Sequence, residues 1–241
     1  MVVKALLFDL DDTLLINDMD TFAPYYFRAL AAKVQRLCAP KPFLEALNAA
    51  TRAMWHNDGS GGTNAEVFRR EFFPRVRRKP EELMPLLEDF YARDFEALSP
   101  YTDVDPEARV LVSLARQRGY QMAVATQPIF PLAAIKARLR WADVGDEEFA
   151  YDFIASYETL SACKPHPRYF ATILQSLGRS PRECLMVGDS PEADMAAGKQ
   201  GFATFWVDRG RVESPETVVS DARGGLRELI TLIETGRIDE L

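Results

Sequence analysis

The sequence predicts an α/β fold in which a doubly wound parallel sheet forms the core and an all-helical segment is inserted near the N-terminus. From residue 106 onwards, short apolar runs alternate with amphipathic helical stretches, an order typical of parallel sheets covered by helices. The first apolar run, residues 2–10, has seven apolar residues in nine, which predicts a strand buried on both faces. Between these parts, residues 17–100 show only the helical pattern.

The composition is that of an ordinary globular protein with one large domain or two smaller ones. Of its 241 residues, 47% are hydrophobic and 27% are charged. No apolar run approaches the roughly 20 residues of a membrane helix, and the N-terminus lacks the pattern of a cleavable signal peptide. We therefore expect a cytoplasmic protein without a membrane partner. The three cysteines and two histidines have the spacing of neither a disulfide framework nor a zinc site.

The charge of the chain is unevenly distributed. The net charge of −7 argues against nucleic acid as a partner. Residues 17–100 contain 12 basic and 12 acidic side chains, so the rest of the chain carries the whole negative charge. Together with the change of pattern, this predicts two units, a helical one over 17–100 and a second one formed by 1–16 and 101–241.

The elements follow from periodicity and from the positions of proline and glycine. In the insert, helices are predicted over 21–38, 43–55, 65–73 and 81–97, and a turn-rich loop over 57–64. In the second unit, helices are predicted over 107–118, 130–140, 168–177, 191–200 and 226–235. The strands that alternate with them are predicted over 120–126, 153–156, 184–187 and 203–207.

Three carboxylates crowd the end of the first strand. Asp9, Asp11 and Asp12 lie within four residues, where their like charges repel one another strongly if little water is present. A hard divalent cation would compensate for this repulsion. The alternative, a solvated loop that caps a following helix, is common for an isolated run of this kind.

Polar residues also follow other predicted strands. Thr126 ends the second core strand, and Asp189 and Asp194 follow the strand over 184–187. Because the carboxyl ends of parallel strands meet at one edge of the sheet, these side chains can share a crevice with Asp9. Lys164, just before a predicted helix, can reach the same place.

These residues match four short motifs of a known family. The stretch FDLDDTL resembles the DxDxT nucleophile motif of the haloacid dehalogenase-like hydrolase superfamily, and Thr126, Lys164 and the stretch GDSPEAD resemble its later motifs in the same order. The chain is most similar to the phosphatase branch with a helical C1-type cap, as in phosphoglycolate phosphatases. The resemblance spans residues 8–194 and implies a Rossmann-like core with residues 17–100 as the cap.

The resemblance also implies a role for each motif residue. Asp9 would be the nucleophile and Asp11 the general acid and base. The metal ligands would be Asp9, the main-chain carbonyl of Asp11, and Asp189. Thr126, Gln127 and Lys164 would bind the phosphoryl group, and Lys164 would also act in catalysis by steadying the nucleophile. Asp194 would support the metal or hold Lys164, and Thr13 would brace the loop through hydrogen bonds. Asp12 is expected to face solvent or to cap a helix, His166 to begin a helix, and Cys184 to lie in the core.

We therefore expect a Mg²⁺-dependent phosphatase that hydrolyses a small phosphorylated metabolite through an aspartyl-phosphate, as a monomer or homodimer. A sugar phosphomutase would share all of these residues, whereas a dehalogenase would not need the acid at Asp11. The alternative outside the enzymes is an interaction protein that keeps this fold and binds metal but does not catalyse a reaction. The substrate is not readable from the sequence; Trp55, Arg69 and Arg70 are the candidate contacts from the cap.

Overall fold

A single parallel sheet forms the centre of the computed structural model, which describes residues 2–212 and 215–241. Its strands are β1 (Ala5–Phe8), β4 (Gln121–Val124), β5 (Phe153–Ile154), β6 (Cys184–Gly188), β7 (Ala203–Val207) and β8 (Ala222–Gly224). They are arranged in the order β5-β4-β1-β6-β7-β8, and all neighbouring pairs are parallel. The chain runs outwards from β1 first to one side and then to the other, so the predicted doubly wound α/β fold is confirmed.

Strand β1 is central because both of its neighbours come from distant parts of the chain. Ala5 is paired with Gln121 of β4 on one side and with Cys184 of β6 on the other. Each residue of β1 is fully buried. Since side chains alternate along a strand, Leu6 and Phe8 lie in one buried cluster, and Ala5 and Leu7 lie in another on the opposite face.

Four helices cover the two faces of the sheet. They are α5 (Pro106–Gln117), α6 (Leu132–Trp141), α7 (Pro167–Leu177) and α8 (Leu226–Thr235). Helix α7 packs its buried side chains on the face of Ala5 and Leu7, and α5, α6 and α8 pack on the other. His166 is the N-cap of α7, its Nδ1 accepting from the backbone N–H of Arg168, and Cys184 is buried, as predicted for both.

The insert is a helical layer that begins and ends at a small strand pair. Strands β2 (Leu15–Ile16) and β3 (Asp103–Val104) pair antiparallel. Between them lie α1 (Met19–Val34), α2 (Pro40–Trp55), α3 (Asn64–Val76) and α4 (Pro80–Asp89), after which π and 3₁₀ turns continue to Tyr101. Buried residues of the insert and of the sheet face belong to one hydrophobic cluster. The division at residues 16 and 101 stays a prediction.

The structure departs from the predicted elements in a few short segments. The segment predicted as a helix over 191–200 is a turn followed by a 3₁₀ helix, Met195–Gln200, and the Asp194 carboxylate accepts the backbone N–H of Ser190 just before it. Strands β2, β3 and β8 have two or three residues, too few for a periodic pattern. Within the described ranges, no helix has the length and apolar character needed to cross a membrane.

Candidate active site

A crevice of about 440 Å³ lies at the carboxyl ends of β1, β4 and β6. It collects most of the side chains that the sequence singled out: Asp9, Asp11, Thr126, Gln127, Lys164, Asp189 and Asp194. These residues come from loops that follow three neighbouring parallel strands and from the segment before α7. The topology therefore brings together residues that are up to 185 positions apart.

Lys164 is the buried centre of the charged groups in this crevice. Its Nζ donates hydrogen bonds to Asp9 Oδ1 at 2.7 Å and to Asp194 Oδ1 at 2.5 Å. Burial lowers the pKa of the lysine, but the carboxylates of Asp194 and Asp9 raise it more, so its pKa lies well above the ordinary value. The ammonium group therefore stays protonated between the two carboxylates.

The backbone of Lys164 is held by Gln127. The Gln127 side chain donates to the Lys164 carbonyl at 3.1 Å and accepts from the Lys164 N–H at 3.0 Å. Its amide therefore positions the lysine, and its contact with a phosphoryl group stays a prediction. Thr126 is buried beside it, with its carbonyl accepting from the Tyr169 hydroxyl at 2.9 Å.

Three carboxylates of the crevice converge on one point. Oxygens of Asp9, Asp189 and Asp194 lie within 4.8 Å of one another. Burial raises the pKa of Asp9 well above its usual range; Lys164 opposes this shift, and the neighbouring carboxylates add to it. Burial, followed by the charges of Asp194 and Asp12, raises the pKa of Asp189 to about 7. The raised pKa values show that burial and mutual repulsion oppose the ionisation of these carboxylates, and a bound cation would relieve this repulsion. Carboxylate oxygens are also the ligands that a hard cation such as Mg²⁺ prefers.

Asp194 is fixed behind the other two carboxylates. Its Oδ1 accepts from Lys164, and its Oδ2 accepts from the backbone N–H of Ser190 at 3.0 Å. It packs so closely on Gly188 that a Cβ at this glycine would lie 2.2 Å from Asp194 Oδ2. With both oxygens in use, Asp194 has the geometry of a residue that supports Lys164, while Asp9 and Asp189 face the crevice.

Asp11 lies at the edge of the crevice and is held by two partners. Its Oδ1 accepts from Asn17 Nδ2 at 2.6 Å, and its Oδ2 pairs with Arg138 Nη1 at 2.5 Å. Arg138 is a fully buried residue of α6 whose guanidinium lies 4.5 Å from the centre of the Phe130 ring.

The sequence interpretation did not identify Arg138. Its spacing of three and four residues from Ile135 and Ala134 was the available signal, because this spacing puts it on the buried face of the helix. Its Nη2 is buried without a hydrogen-bond partner among the residues that the structure describes. The pair with Asp11 is therefore its main compensation for burial.

The expectation that Asp12 faces solvent or caps a helix is wrong. Asp12 is buried and has a left-handed backbone, with φ of 54°. Its Oδ2 pairs with Arg211 Nη1 at 2.5 Å, and its Oδ1 accepts from the backbone N–H of Asn17 at 3.1 Å. An aspartate tolerates this backbone better than most residues, and here Arg211 compensates the charge of the buried carboxylate.

The loop that carries Asp9 is braced differently from the prediction. The Thr13 hydroxyl is buried and finds no partner in the described part of the chain. Instead, Arg209 donates to the carbonyls of Asp12 at 3.0 Å and Thr13 at 2.7 Å, and it pairs with Asp105 at 2.7 Å. The bracing side chain therefore comes from the loop after β7, beyond the reach of local sequence patterns.

Of the candidate contacts from the insert, Trp55 lines the crevice and its side chain is 45% exposed. Arg69 and Arg70 are exposed on α3 and do not line it.

Comparison with known proteins assigns the family. The model of the haloacid dehalogenase-like hydrolases matches residues 3–201. The chain belongs to this hydrolase family. The resemblance inferred from four short motifs is thereby confirmed over most of the chain.

The relatives of this haloacid dehalogenase-like hydrolase include named phosphatases. A phosphoserine phosphatase of Thermus thermophilus is 30% identical, over 94% of this chain and 98% of the relative. A glyceraldehyde 3-phosphate phosphatase of Methanopyrus kandleri is 26% identical, over 89% of this chain and 88% of the relative. The expected class of enzyme, a phosphoric monoester hydrolase of this family, is confirmed.

Solved structures with a similar fold include a protein of another named activity. A 2-haloacid dehalogenase from Pseudomonas syringae pv. Tomato superposes with a TM-score of 0.67 at 19% identity, covering 98% of this chain and all of that one. At this identity the likeness shows the fold alone.

Proposed function

We propose that this enzyme is a Mg²⁺-dependent phosphatase that hydrolyses a small phosphate monoester through an aspartyl-phosphate on Asp9. The observation that carries the proposal is the buried ammonium of Lys164 between Asp9 and Asp194, with Asp189 beside them. This arrangement offers a nucleophilic carboxylate, a fixed positive charge and a set of hard oxygen ligands in one crevice. The names of the relatives support the same reaction class.

The residues present fit a magnesium ion. Asp9, Asp189 and the main-chain carbonyl of Asp11 would hold it, and Asp194 would support Lys164. When bound, the ion supplies positive charge that lets an anionic nucleophile approach an anionic phosphoryl group.

The side chains of the crevice divide the reaction into two displacements. In the first, a carboxylate oxygen of Asp9 forms a bond to phosphorus, the bond from phosphorus to the ester oxygen breaks, and Asp11 gives its proton to the leaving alcohol. In the second, a water oxygen forms a bond to phosphorus, the bond to Asp9 breaks, and Asp11 takes the proton of the water. Lys164 holds Asp9 in place and offsets the phosphoryl charge throughout.

Asp11 can perform these proton transfers only if it is released in part from its present partners. Both of its oxygens are occupied, one by Asn17 and one by Arg138. Because Asn17 lies directly after β2 at the start of the insert, a shift of the insert over the substrate would change this contact. We propose that residues 17–100 act as such a lid.

A phosphate-release assay over a panel of phosphorylated metabolites tests the proposed reaction. We expect release with Mg²⁺, none in chelator, and none from Asp9→Asn, with beryllium fluoride trapped on Asp9 in the parent protein. The variant Asp103→Asn, at an exposed position of β3, serves as the control. Full activity in chelator, or an adduct on another residue, would contradict the assignment. Phosphate exchange between a sugar phosphate and its bisphosphate, without net release, would indicate a phosphomutase instead.

A further inference from the structure

A second cavity adjoins the catalytic crevice on the side of the insert. It has a volume of about 310 Å³ and lies between the helices of the insert and the segments that follow β4 and β5. Met19, Ile129 and Phe130 line both this cavity and the crevice. The two spaces therefore meet at these three side chains, so a ligand held in the crevice can extend into the second cavity.

Apolar side chains form most of the lining of this second cavity. Aromatic rings come from three helices of the insert and from the core loop: Tyr26, Phe43, Phe68, Phe72 and Phe130. Aliphatic side chains fill the gaps between them, among them Leu30, Leu47 and Leu87. Such a surface favours apolar groups, because polar groups would lose their hydrogen bonds to water on entering it.

The polar groups of the cavity do not suit an acidic ligand. The hydroxyls of Tyr26 and Tyr91 are hydrogen bonded to each other at 2.7 Å, and burial raises the pKa of Tyr26 to about 12, so the pair stays neutral. The charged side chains among the described lining residues are two exposed glutamates, Glu88 and Glu158. Glu158 accepts from the backbone N–H of Leu132 at 3.0 Å. A carboxylate on the leaving group would meet the like charge of these glutamates, and no basic side chain stands among the described lining residues to pair with it.

We propose that this cavity receives the alcohol part of the substrate, and that the substrate is a phosphate monoester of an uncharged, largely apolar alcohol. This proposal rests on the phosphatase function proposed above. An empty apolar cavity of about 150 Å³ takes one benzene ring. The present cavity, at about 310 Å³, has room for one ring with an alkyl chain or for two small rings.

The test compares primary alkyl esters, whose leaving alcohols have similar basicity. With Mg²⁺, kcat/KM is measured for ethyl, butyl and hexyl phosphate, for benzyl phosphate, and for 2-phosphoglycolate as the acidic ester. One fully buried methylene is worth about fourfold in binding. Hexyl and ethyl phosphate differ by four methylenes, so we expect hexyl phosphate to exceed ethyl phosphate by about 250-fold if all four are buried. We expect 2-phosphoglycolate to be no better than ethyl phosphate.

Two variants locate the preference in the cavity. Ala23 of α1 lines it, so Ala23→Leu removes part of its volume and should lower the hexyl-to-ethyl ratio by at least about tenfold. Ala32→Leu adds the same group at an exposed position of the same helix and should leave the ratio unchanged. In calorimetry, hexylphosphonate should bind the parent protein more tightly than ethylphosphonate, with a more negative heat-capacity change.

The outcomes separate this proposal from the phosphatase function on which it rests. A flat rate along the alkyl series in the parent protein, or a preference for 2-phosphoglycolate, would overturn the apolar leaving group and leave the phosphatase intact. A hexyl preference that Ala23→Leu and Ala32→Leu retain equally, in folded protein, would place the apolar contact elsewhere and overturn it as well. Release of phosphate from a metabolite of the earlier panel but from none of these esters would overturn the apolar leaving group alone. Release from no ester of either set with Mg²⁺ would overturn both proposals.

Discussion

Lys164 compensates more negative charge than any other single side chain of the crevice. Its ammonium contacts Asp9 and Asp194, and its side chain is 2% exposed. A buried charge is tolerated only when it is paired and hydrogen bonded, and here each partner depends on the other. The lysine is thus a structural element of the apo site as well as a proposed catalytic group.

Replacing this lysine should therefore cost both stability and activity. Lys164→Met keeps the length of the side chain but leaves the carboxylates of Asp9 and Asp194 without a counter-charge. We expect the free energy of unfolding to fall by about 3–5 kcal/mol and phosphate release to be lost. Denaturant unfolding in chelator measures the first effect, and Lys199→Met, at an exposed position, is the matched control. Unchanged stability would mean that the pair contributes nothing to the fold.

Arg138 should matter for turnover although it does not line the crevice. Arg138→Met removes the partner of Asp11 Oδ2 and leaves the carboxylate held by Asn17 alone, so the proposed acid and base loses its fixed orientation. We expect kcat to fall by about tenfold or more, within the contribution of general acid and base catalysis, and KM to change less. Arg140→Met, whose guanidinium is half exposed, should retain kcat. A parent-like kcat in folded Arg138→Met would show that the pair serves stability only.

The residues of the site differ in how far they could be predicted. The meeting of Asp9, Asp189 and Lys164 in one crevice could be predicted, because parallel strand order brings strand ends together and the motifs single out these side chains; their roles stay predictions. The partners Arg138 and Arg211 could not, because their pairing with Asp11 and Asp12 spans 127 and 199 positions and depends on how α6 is rotated and where the loop after β7 turns.

At the scale of elements, one side chain links three segments around Asp9. Arg209, after β7, contacts the carbonyls of the loop that joins β1 to β2 and the carboxylate of Asp105, the N-cap of α5. Both ends of the insert lie next to these contacts, because β2 and β3 are paired there. The position of the insert relative to Asp9 is therefore tied to Arg209.

Removing Arg209 should loosen the loop between β1 and β2, which carries Asp9. Arg209→Ala leaves two carbonyls and the Asp105 carboxylate without their shared donor. We expect a loss of about 1–3 kcal/mol in unfolding free energy and faster amide exchange between β1 and β2. Arg182→Ala, at an exposed position before β6, is the comparison. Equal exchange in the loops of both variants would contradict the bracing role.

Helices and strands were predicted correctly where the periodic pattern of apolar residues extends over enough positions to be recognised. The helices over 107–118, 168–177 and 226–235 and the strands over 184–187 and 203–207 lie close to α5, α7, α8, β6 and β7. The helix predicted over 191–200 was wrong at residues 191–194, where the structure has a turn whose Asp194 carboxylate reaches back to the backbone N–H of Ser190. Strands β2 and β3 exist only because their two ends meet, which no local window contains.

At the scale of the whole molecule, the acidic site is expected to make stability depend on magnesium. Ions that bind only the folded state stabilise it by about 2.7 kcal/mol at 100 times their dissociation constant. For a chain of this length, each kcal/mol of stabilisation raises Tm by roughly 2–4 °C. Differential scanning fluorimetry with Mg²⁺ and with chelator measures the shift, and the absence of a shift at saturating Mg²⁺ would argue against the site.

The substitution Asp189→Asn should stabilise the protein in chelator, although it should remove most of the stabilisation by Mg²⁺. Because the folded state raises the pKa of Asp189 to about 7, its stabilising contribution is lost as the pH rises through this value, and at pH 8 its charge opposes folding. In chelator at pH 8, the variant should therefore unfold at a higher temperature than the parent, with a smaller difference at pH 5. With Mg²⁺, it should lose most of the parent's stabilisation and turnover. A variant that is less stable than the parent in chelator at pH 8 would refute the repulsion.

The central place of β1 in the sheet has a consequence for how the protein is made. The ribosome produces this strand well before its partners, β4 and β6, which begin only at Gln121 and Cys184. While the intervening residues emerge, an apolar segment with two unsatisfied edges has no native neighbour on either side. Completion of the crevice must wait until Asp189 and Asp194 have emerged after β6, and until then we expect β1 to need protection from contacts with other apolar surfaces.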